Sequence, residues 1–345
     1  MSRRLPAALL VVIAVVIALV AAACGGGGSK SGAPVTVRVG YFPNVTHATA
    51  IVGIERGIFA RALGTDHLGT STFNAGPAAI EALLTGSLDA TYVGPNPAIN
   101  AFVKSHGAVR IVAGATSGGA ALVVKPSITD PSELKGQKLA SPQLGGTQDV
   151  ALRYWLSKQG FKTDTEGGGD VSIVPQENSQ TLETFKTGAI AGAWVPEPWA
   201  SRLVDEGGGR VLVDEASLWP GGRFVTTVLL VRTDFLRGHP DAVERLLQGQ
   251  VEANDYVQQH PADSQRVVNA AIGRLTGKTL KPAVVADAWS HLTFTDDPVA
   301  TSLHAAADHA VQVGLLAKPN LVGMFDLTLL DKVLNKAGEK EVVAR

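Results

Sequence analysis

The chain has a single cysteine, Cys24, among 345 residues. Outside that position it can build no disulfide, no cysteine metal site and no cysteine nucleophile. Charge of one sign is also missing. Thirty Lys and Arg stand against 31 Asp and Glu, a formal net charge of −1. That excludes the strongly basic surface that nucleic acid requires. Hydrolase and nucleotide patterns are absent: there is no G-x-S-x-G, no H-E-x-x-H and no P-loop. His304 and His309 are spaced so that they do not share a helix face as a metal pair would. The acidic pairs Asp205-Glu206, Asp214-Glu215 and Asp296-Asp297 are adjacent, so their side chains diverge and make poor acid–base partners. The expectation is a chain that is not an enzyme and holds no cofactor and no metal.

What is present begins with a leader. Arg3 and Arg4 precede an apolar run from Leu9 to Val20, then Ala21, Ala22, Ala23 and Cys24. This is the order of a secretory signal, and the run falls short of the roughly 20 apolar residues of a membrane span. The segment before Cys24 resembles that of bacterial lipoproteins, with Ala21 where Leu is commoner. The resemblance implies a signal peptide at 1–23, lipidation of Cys24 and anchoring to the outer face of the cell membrane. Gly25 to Gly28 and Ser29-Lys30-Ser31-Gly32 read as a flexible tether over 24–34. Losing Arg3 and Arg4 with the leader takes the net charge to −3. The remainder is long enough for two domains.

From Val35 onward strands and helices alternate. Val35 to Tyr41, Thr70 to Phe73, Leu88 to Val93 and Val109 to Ala115 read as strands. Helices are expected over Thr46 to Phe59, from Pro77 toward Gly86, and over Pro95 to Lys104. This spacing argues an α/β domain with a largely parallel sheet. A second such unit follows over about 125–218. It has strands at 120–125, 138–140, 171–174 and 190–195, and helices from Gly145, Asn178 and Pro198. An apolar strand, Phe224 to Val231, and a run of helices close the chain. The glycine runs 167–169 and 207–209 read as mobile surface loops.

Six segments, in order, resemble solute-binding proteins for sulfonates, taurine, nitrate and bicarbonate. They are Val39-Gly-Tyr-Phe-Pro43, Phe73 to Asp89 (with its AGP turn and GSLD stop), Gly94-Pro-Asn-Pro97, Leu134-Lys-Gly-Gln-Lys-Leu-Ala140, Gly145-Gly-Thr-Gln-Asp149 and Ala193-Trp-Val-Pro-Glu-Pro-Trp199. The resemblance covers about residues 36–320. It implies the two-lobed type II periplasmic-binding-protein fold, with a hinge of two crossing segments. Lobe 1 takes 35–118, lobe 2 takes 119–221, and 222–345 returns to lobe 1. The partners it implies are a small-molecule ligand and an ABC permease with its ATPase. A monomer is expected, with no nucleic acid. The ligand is expected to be a small anion or zwitterion, a sulfonate such as taurine foremost.

In such sheets ligands sit beyond the carboxyl ends of strands. The loops there supply neutral donors at Asn44, Thr46, Asn74, Asn96, Thr116, Ser117, Gln143, Thr147 and Gln148. Helix starts nearby add unpaired N–H groups that favour anions. Phe42, His47, Gly146 and Thr226 join the candidates, Thr226 because only one of Thr226 and Thr227 can face a cleft. Asn44, Thr46 and Asn96 suit helix capping equally well. Arg223 is the best single cation, with a solvated hinge residue as its alternative. Asp149 would repel an anion and is placed outward. Glu197 beside Trp199 would suit an amine-bearing ligand, or else caps its helix. Other readings keep the fold. Tyr41, Phe42, Trp194 and Trp199 could stack a thiamine-precursor pyrimidine. Nitrate or bicarbonate could replace the sulfonate, or the chain could be a sensor without a transport partner. Related folds include desulfinases with a cysteine nucleophile, chemistry that Cys24, in the leader, cannot supply.

Overall fold

A computed structural model describes residues 33–342. The leader, Cys24 and most of the tether lie outside the described residues. The chain first lays down β1 (Thr36–Tyr41), β2 (His67–Thr72), β3 (Ala90–Val93) and β4 (Val109–Gly118) in one sheet. It then crosses to build β5 (Ala120–Val124), β6 (Lys138–Ser141), β7 (Ser172–Pro175), β8 (Gly192–Pro196) and β9 (Arg210–Asp214) in another. It returns to the first with β10 (Val225–Arg232) and β11 (Leu292–Phe294). The strand orders are β11-β4-β10-β3-β1-β2 and β7-β6-β8-β5-β9, so each sheet centres one lobe.

Both sheets are mixed, not largely parallel. β1 runs parallel to β2 and β3, and β6 to β7 and β8. β10 is antiparallel to β3 and β4, and β5 to β8 and β9. The reason is the crossing. A strand arriving from the other lobe need not pass through the helical crossover that makes neighbours parallel. Two edge strands, β9 and β11, were not expected from the sequence. β9 is largely exposed and follows the glycine run, and β11 is three residues long.

Helices cover the sheet faces. In the first lobe they are α1 (Ala48–Glu55), α2 (Ile58–Leu63), α3 (Gly76–Leu84) and α4 (Pro95–Lys104). The second lobe has α5 (Thr147–Lys158), α6 (Asn178–Lys186) and α7 (Trp199–Asp205). After β10 come α8 (Thr233–Gly238), α9 (Pro240–Gln259), α10 (Pro261–Thr276), α11 (Pro282–Ser290), α12 (Ala300–Gln312) and α13 (Thr328–Ala337). The helix expected over 46–59 is broken. Val45–His47 form a 3-10 turn, and Gly57, at φ 64°, separates α1 from α2. Because helices lie on both faces, central strands are apolar throughout: β5 and β8 are buried at every residue. Apolar cores accordingly form on each side of each sheet. No helix among the described residues is long and apolar enough to cross a membrane.

The first crossing is made by Gly118 and Gly119, at φ 84° and 73°. Side chains rarely adopt that region, and added carbons would also strike His291 and Leu292. The lobes are shut against each other. Trp199 donates from Nε1 to Asn44 Oδ1 at 3.1 Å, and Asn74 Nδ2 to Glu177 Oε1 at 3.0 Å. On the opposite side Tyr154 stacks on His309 with ring centres 3.5 Å apart. Lys158 donates to Gln312 beside that stack at 3.0 Å, while on the Trp199 side Lys281 donates to Asp205 at 2.6 Å.

At the centre of the seam Gly94 meets Thr147. A methyl group on Gly94 would collide with the Thr147 hydroxyl, and its distance to Thr147 Cβ would be 3.3 Å. Gly94→Ala should therefore hold the lobes apart. Small-angle scattering should give a larger radius of gyration for this variant than for the wild type. Adding Thr147→Ala, which leaves only the tight Cβ contact, should bring the radius back. An unchanged radius in Gly94→Ala would mean that the seam has slack.

Candidate functional site

Between the lobes lies a cavity of about 40 Å³. By volume it has room for about three waters. Its wall carries no charged side chain. Four helices begin there: α3 at Gly76 and Pro77, α4 at Gly94 and Pro97, α5 at Gly146 to Gln148, and α6 at Asn178. None has a side chain capping its first turn. Ala75, Gly94 and Gly146 at the cap positions have no oxygen to offer, and Glu177 does not reach back. Prolines blunt two of these starts by removing N–H donors in α3 and α4. The lobe 2 starts, α5 and α6, keep theirs, and their dipoles add positive character to the cavity.

Eight of the residues expected at a ligand site line this cavity. Lobe 1 contributes Phe42, Asn44, Thr46, His47 and Thr226, and lobe 2 contributes Gly146, Thr147 and Gln148. Asn74 and Gln143, named with the loop donors, line it too. Asn178 is a residue that sequence reasoning missed. It follows β7, whose terminal loop was left out of the strand ends considered, although an Asn opening a helix was visible there. Two polar atoms at this wall are buried without a partner, Thr147 Oγ1 and Asn178 Oδ1. Buried polar groups are ordinarily satisfied, so both mark a place where a partner is expected: the Thr147 hydroxyl can donate to one, while Asn178 Oδ1 can only accept.

Five expected residues do not line the cavity. Asn96 turns away and donates to the carbonyl of Ala306 at 3.0 Å. Thr116 donates to the Thr46 carbonyl at 2.7 Å, and Ser117 to the Phe224 carbonyl at 2.8 Å. Glu197 caps its own helix, accepting from the Ser201 N–H at 3.1 Å and the Ser201 hydroxyl at 2.9 Å. Burial pushes its carboxyl up to about 7, against the pull of those bonds. Trp199 is spent on Asn44, with Arg202 over its ring at 4.4 Å. The carboxylate that was to receive an amine is thus absent from the cavity. Arg223 is exposed and paired with Asp297 at 2.9 Å, the solvated alternative. Of the aromatics considered for ring stacking, only Phe42 lines the cavity. Tyr41 is buried in the core, and fully buried Trp194 donates to Glu215 at 2.7 Å.

The displaced candidates hold the wall in place. Thr116 and Thr227 both donate to the Thr46 carbonyl, at 2.7 and 3.1 Å, fixing the 44–47 turn on the sheet. Asp149 is buried, not outward. It accepts from the Gly145 N–H at 2.9 Å, the Ser141 hydroxyl at 2.7 Å and Arg153 Nε at 3.0 Å. This pins the glycine turn that opens α5, in which Gly145 sits at φ 72°. His47 is wholly buried, with its ring 4.3 Å from that of Phe42. Its Nδ1 accepts from the Phe42 N–H at 3.3 Å, so the proton of the neutral ring sits on Nε2. Desolvation lowers its pKa to about 3. His47 is therefore a neutral donor over the whole range in which an ordinary histidine would charge. Nitrogen-15 NMR at pH 5 should show this imidazole neutral and protonated at Nε2. A cationic ring at that pH would contradict the geometry.

The chain matches the NMT1-like family over residues 30–272. A protein of Brucella abortus, named as a binding protein without a stated ligand, is 29% identical over 235 residues, 67% of this chain and 69% of its own. The taurine-binding periplasmic protein of Escherichia coli is 29% identical over 185 residues, 52% of this chain and 54% of its own. Among solved structures, the periplasmic nitrate-binding protein of Synechocystis superposes with a TM-score of 0.70. It is 17% identical, and the match covers 87% of this chain and 88% of that one. That likeness is one of fold, and it accounts for the two lobes, the paired crossings and the cleft. The chain belongs to the NMT1-like family and has the two-lobed fold of the periplasmic binding proteins.

Proposed function

We propose that this chain is the extracytoplasmic solute-binding component of an ABC importer, takes a small anion by closing its lobes, and performs no catalysis. One observation carries the reading: four helix starts, two of them free of proline, meet at an interlobe cavity whose side chains are all neutral. Micromolar affinity needs about 8 kcal/mol, and each hydrogen bond to a charged group nets about 1.5–3 kcal/mol. Asn44, His47, Thr147, Gln148 and the α5 and α6 N–H groups supply enough donors without an arginine. The names of the relatives support a ligand with an oxyanion head, the sulfonate of taurine and nitrate among them. A sulfonate head suits a wall with donors in both lobes, because its three oxygens splay as a pyramid, whereas those of nitrate and bicarbonate lie in one plane. The permease and ATPase as partners belong to the same reading, as does the division of the chain at 118–119 and 221–222.

The test is a thermal-shift and calorimetric screen of the mature chain with nitrate, bicarbonate, methanesulfonate and taurine. Dimethyl sulfone, the uncharged isostere of methanesulfonate, is the control. A bound anion at a hundredfold excess over Kd should raise Tm by about 5 °C, and the sulfone should leave it unchanged. Equal binding of the sulfone would refute the anion site.

Anchoring through Cys24 is part of the proposal. Cys24→Ser should abolish incorporation of labelled palmitate in the producing cell and release the protein from the membrane fraction. Labelling that survives the substitution would remove the anchor from the reading.

A further inference from the structure

Two crevices at the seam adjoin the cavity and share lining residues with it. One, of about 380 Å³, shares Asn44, Asn74 and Asn178 with it. The other, of about 470 Å³, shares Asn74, Ala75, Pro142 and Gln143. Asn74 is thus common to all three spaces. Its amide spans the lobes there, donating to Glu177 Oε1 at 3.0 Å. Glu177 lines both crevices and not the cavity. Part of the cavity wall is stiff. Pro77, Pro97, Pro142 and Pro196 form much of its wall, and Phe42 is held against His47. Proline rings have no open rotamers to swing aside.

At about 40 Å³ the cavity holds an oxyanion head and little more. A longer ligand must pass its tail into a crevice where the Asn74–Glu177 bond stands. We propose that this cross-lobe bond is a length filter: short oxyanions close the lobes with the bond intact, and longer ones lose it. The inference rests on the anion reading above and names the residues that set the size of its ligand.

Calorimetry on the mature chain with methanesulfonate and butanesulfonate tests it, since both carry the same head. The wild type should bind the longer sulfonate up to about fivefold more weakly, the worth of one solvent-exposed hydrogen bond to a carboxylate. Glu177→Ala should bring that ratio close to one, because the bond no longer has to be broken. Glu177 is exposed and caps no helix through its side chain, so trimming it leaves the fold alone. Glu177→Gln keeps an oxygen for Asn74 but loses the charge, and should give a ratio between those of the wild type and Glu177→Ala. Equal affinities in the wild type, an unchanged ratio in Glu177→Ala, or Glu177→Gln behaving like Glu177→Ala would each overturn the filter. If neither sulfonate, nor nitrate, nor bicarbonate binds, it is the anion reading that fails.

Discussion

An uncapped helix start enclosed by protein is unfavourable, because its first N–H groups have neither water nor a side chain to bond. This chain brings four helix starts to one small space, and two of them, α5 and α6, keep all their N–H donors. Much of the surrounding structure reads as a consequence. The caps are glycine or alanine at three of the four, so nothing local competes for the donors. No carboxylate lines the cavity to quench them, and no cation to make them redundant.

Holding those starts in register takes buried polar work behind the wall. Lobe 1 does it with threonines on adjacent strands, Thr116 and Thr227, which share one carbonyl. Lobe 2 does it with an ion pair. Asp149 and Arg153 are both almost wholly buried; one carboxylate oxygen takes both Arg153 Nε and the Gly145 N–H, and the other accepts from the Ser141 hydroxyl. Taking either partner away would strand a buried charge, which is far costlier than losing a surface pair. A further network behind α1 ties Thr49 to Asn254 at 2.5 Å and Asn254 to Asp296 at 2.7 Å. Burial pushes the Asp296 carboxyl up to about 7, so it stays protonated well above the usual carboxylate range.

The fold was legible because its signals are local and repeated. Apolar strands, helix stops such as Gly86 and the order of six short motifs all point one way. The site was legible only as a set of loops. Which residue of a loop faces the cleft depends on pairing register, and no single segment shows that. Thr116 and Ser117 sit in a TSGG stretch that looks open. Yet β4 continues through Gly118, and the pairing with β10 and β11 turns both hydroxyls to backbone carbonyls. Glu197 and Asn96 each had a capping or packing alternative as plausible as a ligand role, and in both the nearer partner prevailed. Asn178 had the opposite fate, since a helix-opening asparagine reads as a cap until its oxygen is seen unpaired.

Neutrality also decides how binding and motion are linked. A single arginine in an open lobe would hold an anion before the lobes met. Here the donors are divided: Asn44, Thr46 and His47 lie on one side, and Thr147, Gln148 and the Asn178 amide on the other, while the Thr226 hydroxyl is already given to the Gly118 carbonyl. Neither half offers enough on its own to repay stripping water from a charge. The full set exists only when Gly94 has come against Thr147. Affinity for the proposed solute is then the affinity of the closed state, scaled by how often the lobes close. Whatever pulls the lobes apart removes half the donors at once, so opening and release become one event.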